Sequence, residues 1–348
     1  QSNLHAASTG PIDNVRNKTV LNDQDKKVID DFVRESVNGI LNENNFTNIS
    51  RYRNIILSRK DSRQVQYANQ FKESTITHIT KAFEAARDIK PAINQAIIIT
   101  NLLILTDRLN NVQFAVLAKN KLDDENIIVR YWAVKCLANP EVIKQLNAGE
   151  APNPGLPNEI TTKLISIVPK SSPEILMIMA EYAAAINIPQ GQELLLKIAD
   201  QRITNYADWS VKNEYSDGII LQILINIITE SQANTNVTAV AQRFAQLYSY
   251  VIQRYIKGES FLDTRQKAEL MTVIIETEDK CIRKMIGTQQ NFRNAFVKKQ
   301  LNELMNEHNR LLGSDVTSGQ IPAKYNFNYG TDESGSIRNA PLTLTNPK

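Results

Sequence analysis

Three histidines, His5, His78 and His308, are the side chains here best suited to move a proton near neutral pH. Base or metal-ligand work would need partners converging on them from elsewhere in the chain. His5 falls in a polar opening segment and the other two on separate helical stretches, so all three read as solvated or helix-face residues. Two acidic clusters, Asp123-Asp124-Glu125 and Glu276, Glu278 and Asp279, carry the residue types for metal binding or acid–base work. Helix initiation accounts for the first, because carboxylates oppose the positive helix N-terminus. The second is interleaved with Lys280 and Arg283, as on an exposed helical face. No catalytic residue, metal ligand or cofactor is assigned.

Two further groupings have the chemistry of recognition. Arg51, Arg53, Arg59, Lys60 and Arg63, with Tyr52 among them, form a basic run that could meet phosphates. Yet 40 basic residues face 37 acidic ones, a balance that gives no general pull on nucleic acid. A segment at 205–215 carries Tyr206, Trp209 and Tyr215, and aromatic side chains between helices are typical binding anchors. Its competing reading is that Trp209 folds back over the adjacent helices. The candidate partner-binding residues are therefore Tyr206, Trp209, Tyr215, Arg51, Tyr52 and Arg53. No G-x-S-x-G, H-E-x-x-H, Walker-type or G-x-G-x-x-G pattern is present.

The elements that must position these residues are helices. Glycine is scarce, 12 in 348 residues, which disfavours phosphate-cradling α/β folds and hairpin-rich β folds. Apolar residues recur at three- and four-residue steps from Val28 to Leu41 and repeatedly thereafter, while no period-two run is long enough for a sheet. The longest apolar stretch, 97–105, is broken by Thr100 and Asn101, short of the roughly 20 residues a membrane span needs. Cys136 and Cys281 make no CxxC and are expected as free thiols. Residues 1–20 predict a flexible leader, 21–312 a single helical domain with an insertion at 147–158, and 313–348 an extended or disordered tail. The polar opening suits a leader left after signal cleavage, which points to a bacterial periplasmic or secreted setting, with a cytoplasmic one as the alternative.

The stretch Asp124-Glu125-Asn126-Ile127-Ile128-Val129-Arg130-Tyr131-Trp132-Ala133-Val134-Lys135-Cys136-Leu137 resembles the HEAT-repeat signature. Val129, Ala133 and Leu137 share one helical face, the small Ala133 lets a neighbour approach, and Arg130 is placed to reach the turn carboxylates. Weaker echoes occur around Ile93–Leu103, Glu174–Ala185 and Asp217–Ile228.

The resemblance implies an all-α solenoid of stacked antiparallel hairpins, each about 40 residues long. In such solenoids the curved surface and the loops meet partners. The expectation is a non-enzymatic scaffold that binds a protein or peptide. Nucleic-acid binding through 51–63, in the manner of HEAT-like DNA glycosylases, is the first alternative, and a secreted structural protein of the bacterial cell envelope is the second.

Overall fold

The computed structural model describes residues 9–43, 45–230 and 236–347, and His5 lies outside them. Among these residues the regular elements are all helical, accompanied by two isolated bridges, Gly313 with Ser318 and Thr331 with Ile337. No helix among them is long and apolar enough to cross a membrane. The chain forms two compact units, 1–163 and 164–348, a division that local periodicity does not predict.

The first unit holds α1 (Thr9–Val15), α2 (Asp23–Asn42), α3 (Phe46–Leu57), α4 (Val65–Ala85), α5 (Ala92–Leu109), α6 (Ala115–Lys119), α7 (Ile127–Leu137) and α8 (Pro140–Asn147). Helix α9 (Leu156–Ile167) contains the boundary. A reciprocal cap starts α2, where Asn22 accepts from the Asp25 amide and Asp25 accepts from that of Asn22. The ordered chain reaches back into the expected leader. Ile12 and Val15 are buried as α1 packs on α2, and Asp13 pairs with Arg59 at 3.1 Å.

Helix α7 has the core face its sequence predicts, with Val129, Ala133 and Leu137 fully buried. Its start differs in chemistry. Asn126 is the cap, accepting from the amides of Ile128 and Val129. Arg130 does not reach the carboxylates. It donates to the carbonyl oxygens of Asp124 and Glu125 at 2.7 and 3.1 Å. Cys136 donates to the Leu103 carbonyl, and burial pushes its thiol up to about 12. Both cysteines are free and buried.

The second unit holds α10 (Pro173–Ala185), α11 (Pro189–Ala207), α12 (Tyr215–Thr229), α13 (Val237–Lys257), α14 (Thr264–Thr277), α15 (Arg283–Ile286), α16 (Asn291–Lys298), α17 (Leu301–Leu312) and α18 (Gln320–Tyr325). From α10 to α14, helices pack on their successors and on the helix after that. A π-helical turn, Glu278–Ile282, joins α14 to α15. Glu278 follows buried Leu270 and Ile274 at four-residue steps and so lies on the core face, contrary to the exposed-face reading. The carboxylate is fully buried and accepts from the Phe292 and Arg293 amides at the start of α16. Burial raises its pKa.

Arg202 and Asp217 lie fully buried in a bidentate pair, Nε to Oδ1 at 2.6 Å and Nη2 to Oδ2 at 2.8 Å. Tyr206 donates to Asp217 Oδ2 at 2.7 Å. Removing one partner from such a network leaves an uncompensated charge. Asp217→Ala should lower stability by about 3–5 kcal/mol in urea unfolding followed by circular dichroism. A loss within about 0.5 kcal/mol, as for an ordinary surface change, would contradict this account of the core.

Candidate functional site

Helix α13 is the longest helix of its unit and is buried over most of its length. It nonetheless carries polar side chains at Thr238, Gln242, Gln246, Ser249, Gln253 and Lys257. Steps of four, four, three, four and four residues place them in one stripe. Buried amides must find hydrogen-bond partners. Most of those partners are main-chain atoms from the last residue of α18 onward.

Thr238 donates to the carbonyl of Tyr325 and Gln242 to that of Asn328. The chain then makes a turn in which the amide of Tyr329 donates to the Arg338 carbonyl and that of Arg338 to Gly330. From 341 it lies along the stripe as a strap. Gln246 accepts from the Leu342 amide at 2.8 Å and donates to its carbonyl at 3.4 Å. Gln253 donates to the Leu342 carbonyl at 3.0 Å and accepts from the Leu344 amide at 2.7 Å. Lys257 donates to the Leu344 carbonyl. Trp209 Nε1–H donates to that of Thr345 at 2.8 Å. Leu344 is fully buried and Pro341 is buried, while Leu342, Thr343 and Thr345 face outward.

The strap is held by a small margin. Burying Leu344 contributes about 2 kcal/mol. Each hydrogen bond adds about 1 kcal/mol. Fixing each backbone residue costs about 1–2 kcal/mol. Over 341–345 these opposing terms come within a few kcal/mol of each other.

A buried chain of hydrogen bonds ties the strap to α17. Gln253 Nε2 donates to Ser249 Oγ at 2.8 Å, and Ser249 Oγ lies 2.8 Å from His308 Nε2. On the other side of the ring Nδ1 faces Asn309 Oδ1 at 2.9 Å, an atom that only accepts. With that amide orientation the neutral ring is the Nδ1–H tautomer, and Nε2 accepts from the Ser249 hydroxyl. His308 is thus a core residue rather than a solvated one. His78 sits on α4 and bonds Asp30 at 2.9 Å.

Trp209 closes one end of the site. Its backbone is left-handed, with φ of 59°, a conformation costing a bulky residue about 1–3 kcal/mol. Three contacts hold it there. The Arg254 guanidinium lies 5.2 Å from the ring centroid, Phe261 meets it edge-on at 6.0 Å, and Thr345 takes its N–H. Arg254 is itself buried and paired with Glu214 at 2.9 Å. Phe261 is 59% exposed, leaving an apolar rim beside the strap.

The other sequence candidates are scattered. Tyr206 belongs to α11, fully buried and bonded to Asp217, so it cannot meet a partner. Tyr215 is half exposed at the start of α12. Tyr52 is buried in α3 with its ring against Gly39, where a Cβ would stand 2.5 Å away. Arg51 is exposed, and half-buried Arg53 donates to Ser50 Oγ. Arg59 is taken by Asp13, and Lys60 donates to the Arg108 carbonyl. Of the basic run, Arg53, Arg59 and Lys60 are thus engaged within the protein, while Arg51 and Arg63 are exposed. The expected insertion is short, with α8 ending at Asn147 and α9 beginning at Leu156.

The stripe on α13 is what sequence reasoning missed. Its signal was the recurrence of Gln242, Gln246 and Gln253 at helical spacing among Tyr, Val and Ile.

No protein-family model and no curated protein matches the chain. A solved structure described as an engineered protein is 10% identical, covering 91% of this chain and 97% of that chain, with a TM-score of 0.21. A likeness of that size carries no argument.

Burial holds the His308 ring below its ordinary pKa, so protonation opposes the native state. The stability it contributes is present above about pH 6.5, the unfolded value, and is lost as pH falls through the lower folded value. The urea midpoint should therefore drop from pH 7.5 to 5.5 by more in the parent chain than in His308→Gln. Equal drops in the two would contradict this.

Proposed function

We propose that this chain is a non-enzymatic binding protein built of HEAT-like stacked helical hairpins, and that its partner is a protein or peptide engaged along α13. Packing of each helix on its successor and on the next but one, from α10 to α14, supports the stacked-hairpin reading within that unit. The observation that carries the binding reading is the amide stripe. Gln246 and Gln253 each bond both a donor and an acceptor of an extended main chain. Main-chain recognition of this kind gives affinity with little demand on sequence, as when a peptide adds to a sheet edge. Phe261 and Trp209 supply aromatic surface at the end of the stripe.

A nucleic-acid role through 51–63 draws no support from a segment whose Arg53, Arg59 and Lys60 are engaged within the protein. Binding that rested on phosphate contacts would fall steeply with salt.

The test is recovery of partners from the native source at physiological salt, quantified by mass spectrometry, on three full-length baits. These are the parent chain, the Gln246→Ala/Gln253→Ala variant and Arg51→Ala. The expected result is a protein held by the parent and by Arg51→Ala but depleted at least about tenfold on the groove variant, about 1.4 kcal/mol. Recovery indifferent to the groove substitutions, or nucleic acid released by moderate salt, would contradict the reading.

A further inference from the structure

Resting on that reading, we infer the chemistry of the partner: the α13 groove is a receptor for an extended Pro-x-x-Leu segment, and residues 341–345 of the chain occupy it in cis.

Three observations fix the class. The first is the period of burial. Pro341 and Leu344 turn inward, Pro347 is half buried, and Leu342, Thr343, Thr345 and Asn346 face out. A pleated strand would bury every second residue. A period of three belongs to the polyproline II helix, which repeats every three residues and leaves its backbone groups free for outside partners.

The second is where the polar contacts fall. Gln246, Gln253, Lys257 and Trp209 bond main-chain atoms of Leu342, Leu344 and Thr345, and none bonds a strap side chain. A different chain with an apolar residue at the Leu344 position and proline three before it could satisfy every one of these groups. The indole N–H turned to a carbonyl beside a second aromatic ring suits a ligand already extended before it binds.

The third is the way the occupant is attached. The strap follows a turn in which 331–337 are almost wholly solvent-facing, with left-handed glycines at 330 and 335. Release of 341–345 would break the contacts named above and uncover the apolar site of Leu344, while the turn at 329–338 keeps its own Tyr329–Arg338 and Gly330–Arg338 bonds. A partner segment of the same chemistry then competes with a cis ligand, and its apparent affinity is reduced by the fraction of open groove.

The probe is a fluorescent peptide with the sequence of residues 338–347, titrated by anisotropy against full-length proteins. Leu344→Asp and Leu344→Ser each disable the cis ligand, and circular dichroism verifies that both keep the parent helix content. Both should bind the peptide at least about tenfold more tightly than the parent chain. Adding Gln253→Ala should abolish the gain, as should a peptide carrying Asp at the leucine position that corresponds to 344, and alanine for its proline should weaken binding. No binding by the opened, folded variants would overturn the proposal. So would binding indifferent to Gln253 or to that leucine. A parent chain whose dimers, in sedimentation, disappear on Leu344→Asp would assign the groove to a second copy and also overturn it. If the peptide fails while the groove substitutions still deplete a captured protein, the binding reading stands and the Pro-x-x-Leu chemistry falls.

Discussion

Side-chain amides inside a helical core must be bonded at both ends, and in the second unit this constraint falls on Gln246 and Gln253. They are only 7% and 4% exposed. The backbone of α13 serves its own helix, and among the described residues the two amides find on that helix only the Gln253–Ser249 bond. A main chain running alongside supplies a donor and an acceptor together, which is what an amide needs. The path of the C-terminal segment, the burial of Leu344 and the posture of Trp209 all follow from that pairing. Gln253 also links outward to His308 through Ser249, so the groove and the packing of α17 share one hydrogen-bond chain.

The strength of this arrangement is uneven by design of its parts. The Arg202–Asp217–Tyr206 and Arg254–Glu214 groups are deeply buried and charge-assisted, and they hold α11, α12 and α13 together. The strap crosses beside them on main-chain bonds, one of them from Lys257, with Leu344 and Pro341 inserted. A rigid floor beneath a lightly held occupant is the physical basis for exchange, since only the occupant needs to open.

Much of the helical architecture was legible because it is local. The face formed by Val129, Ala133 and Leu137, the proline starts at Pro173 and Pro189, and the apolar rhythm of α12 follow from spacing alone. What failed was long-range or came from reading charge before helical phase. Glu278 read as exposed beside Lys280 and Arg283, yet it follows buried Leu270 and Ile274 at four-residue steps and lies in the core. Tyr206 read as a loop residue because α11 continues to Ala207, past the polar Thr204 and Asn205 that suggest its end. Arg130 found carbonyls nearer than carboxylates. The amide stripe was visible as spacing, but its partners lie about ninety residues away, as with Gln246 and Leu342, and no periodicity reports such a pairing.

The account's central claim is that the side chains of α13 grip the main chain at Leu342 and Leu344. Amide hydrogen exchange read residue by residue in the intact chain tests it most directly. Both amides should exchange at least about tenfold more slowly than in the free peptide, and Gln253→Ala should release Leu344 while the amides of α13 stay protected. Exchange of Leu344 at the free-peptide rate in the parent chain, or protection unchanged in Gln253→Ala, would contradict it.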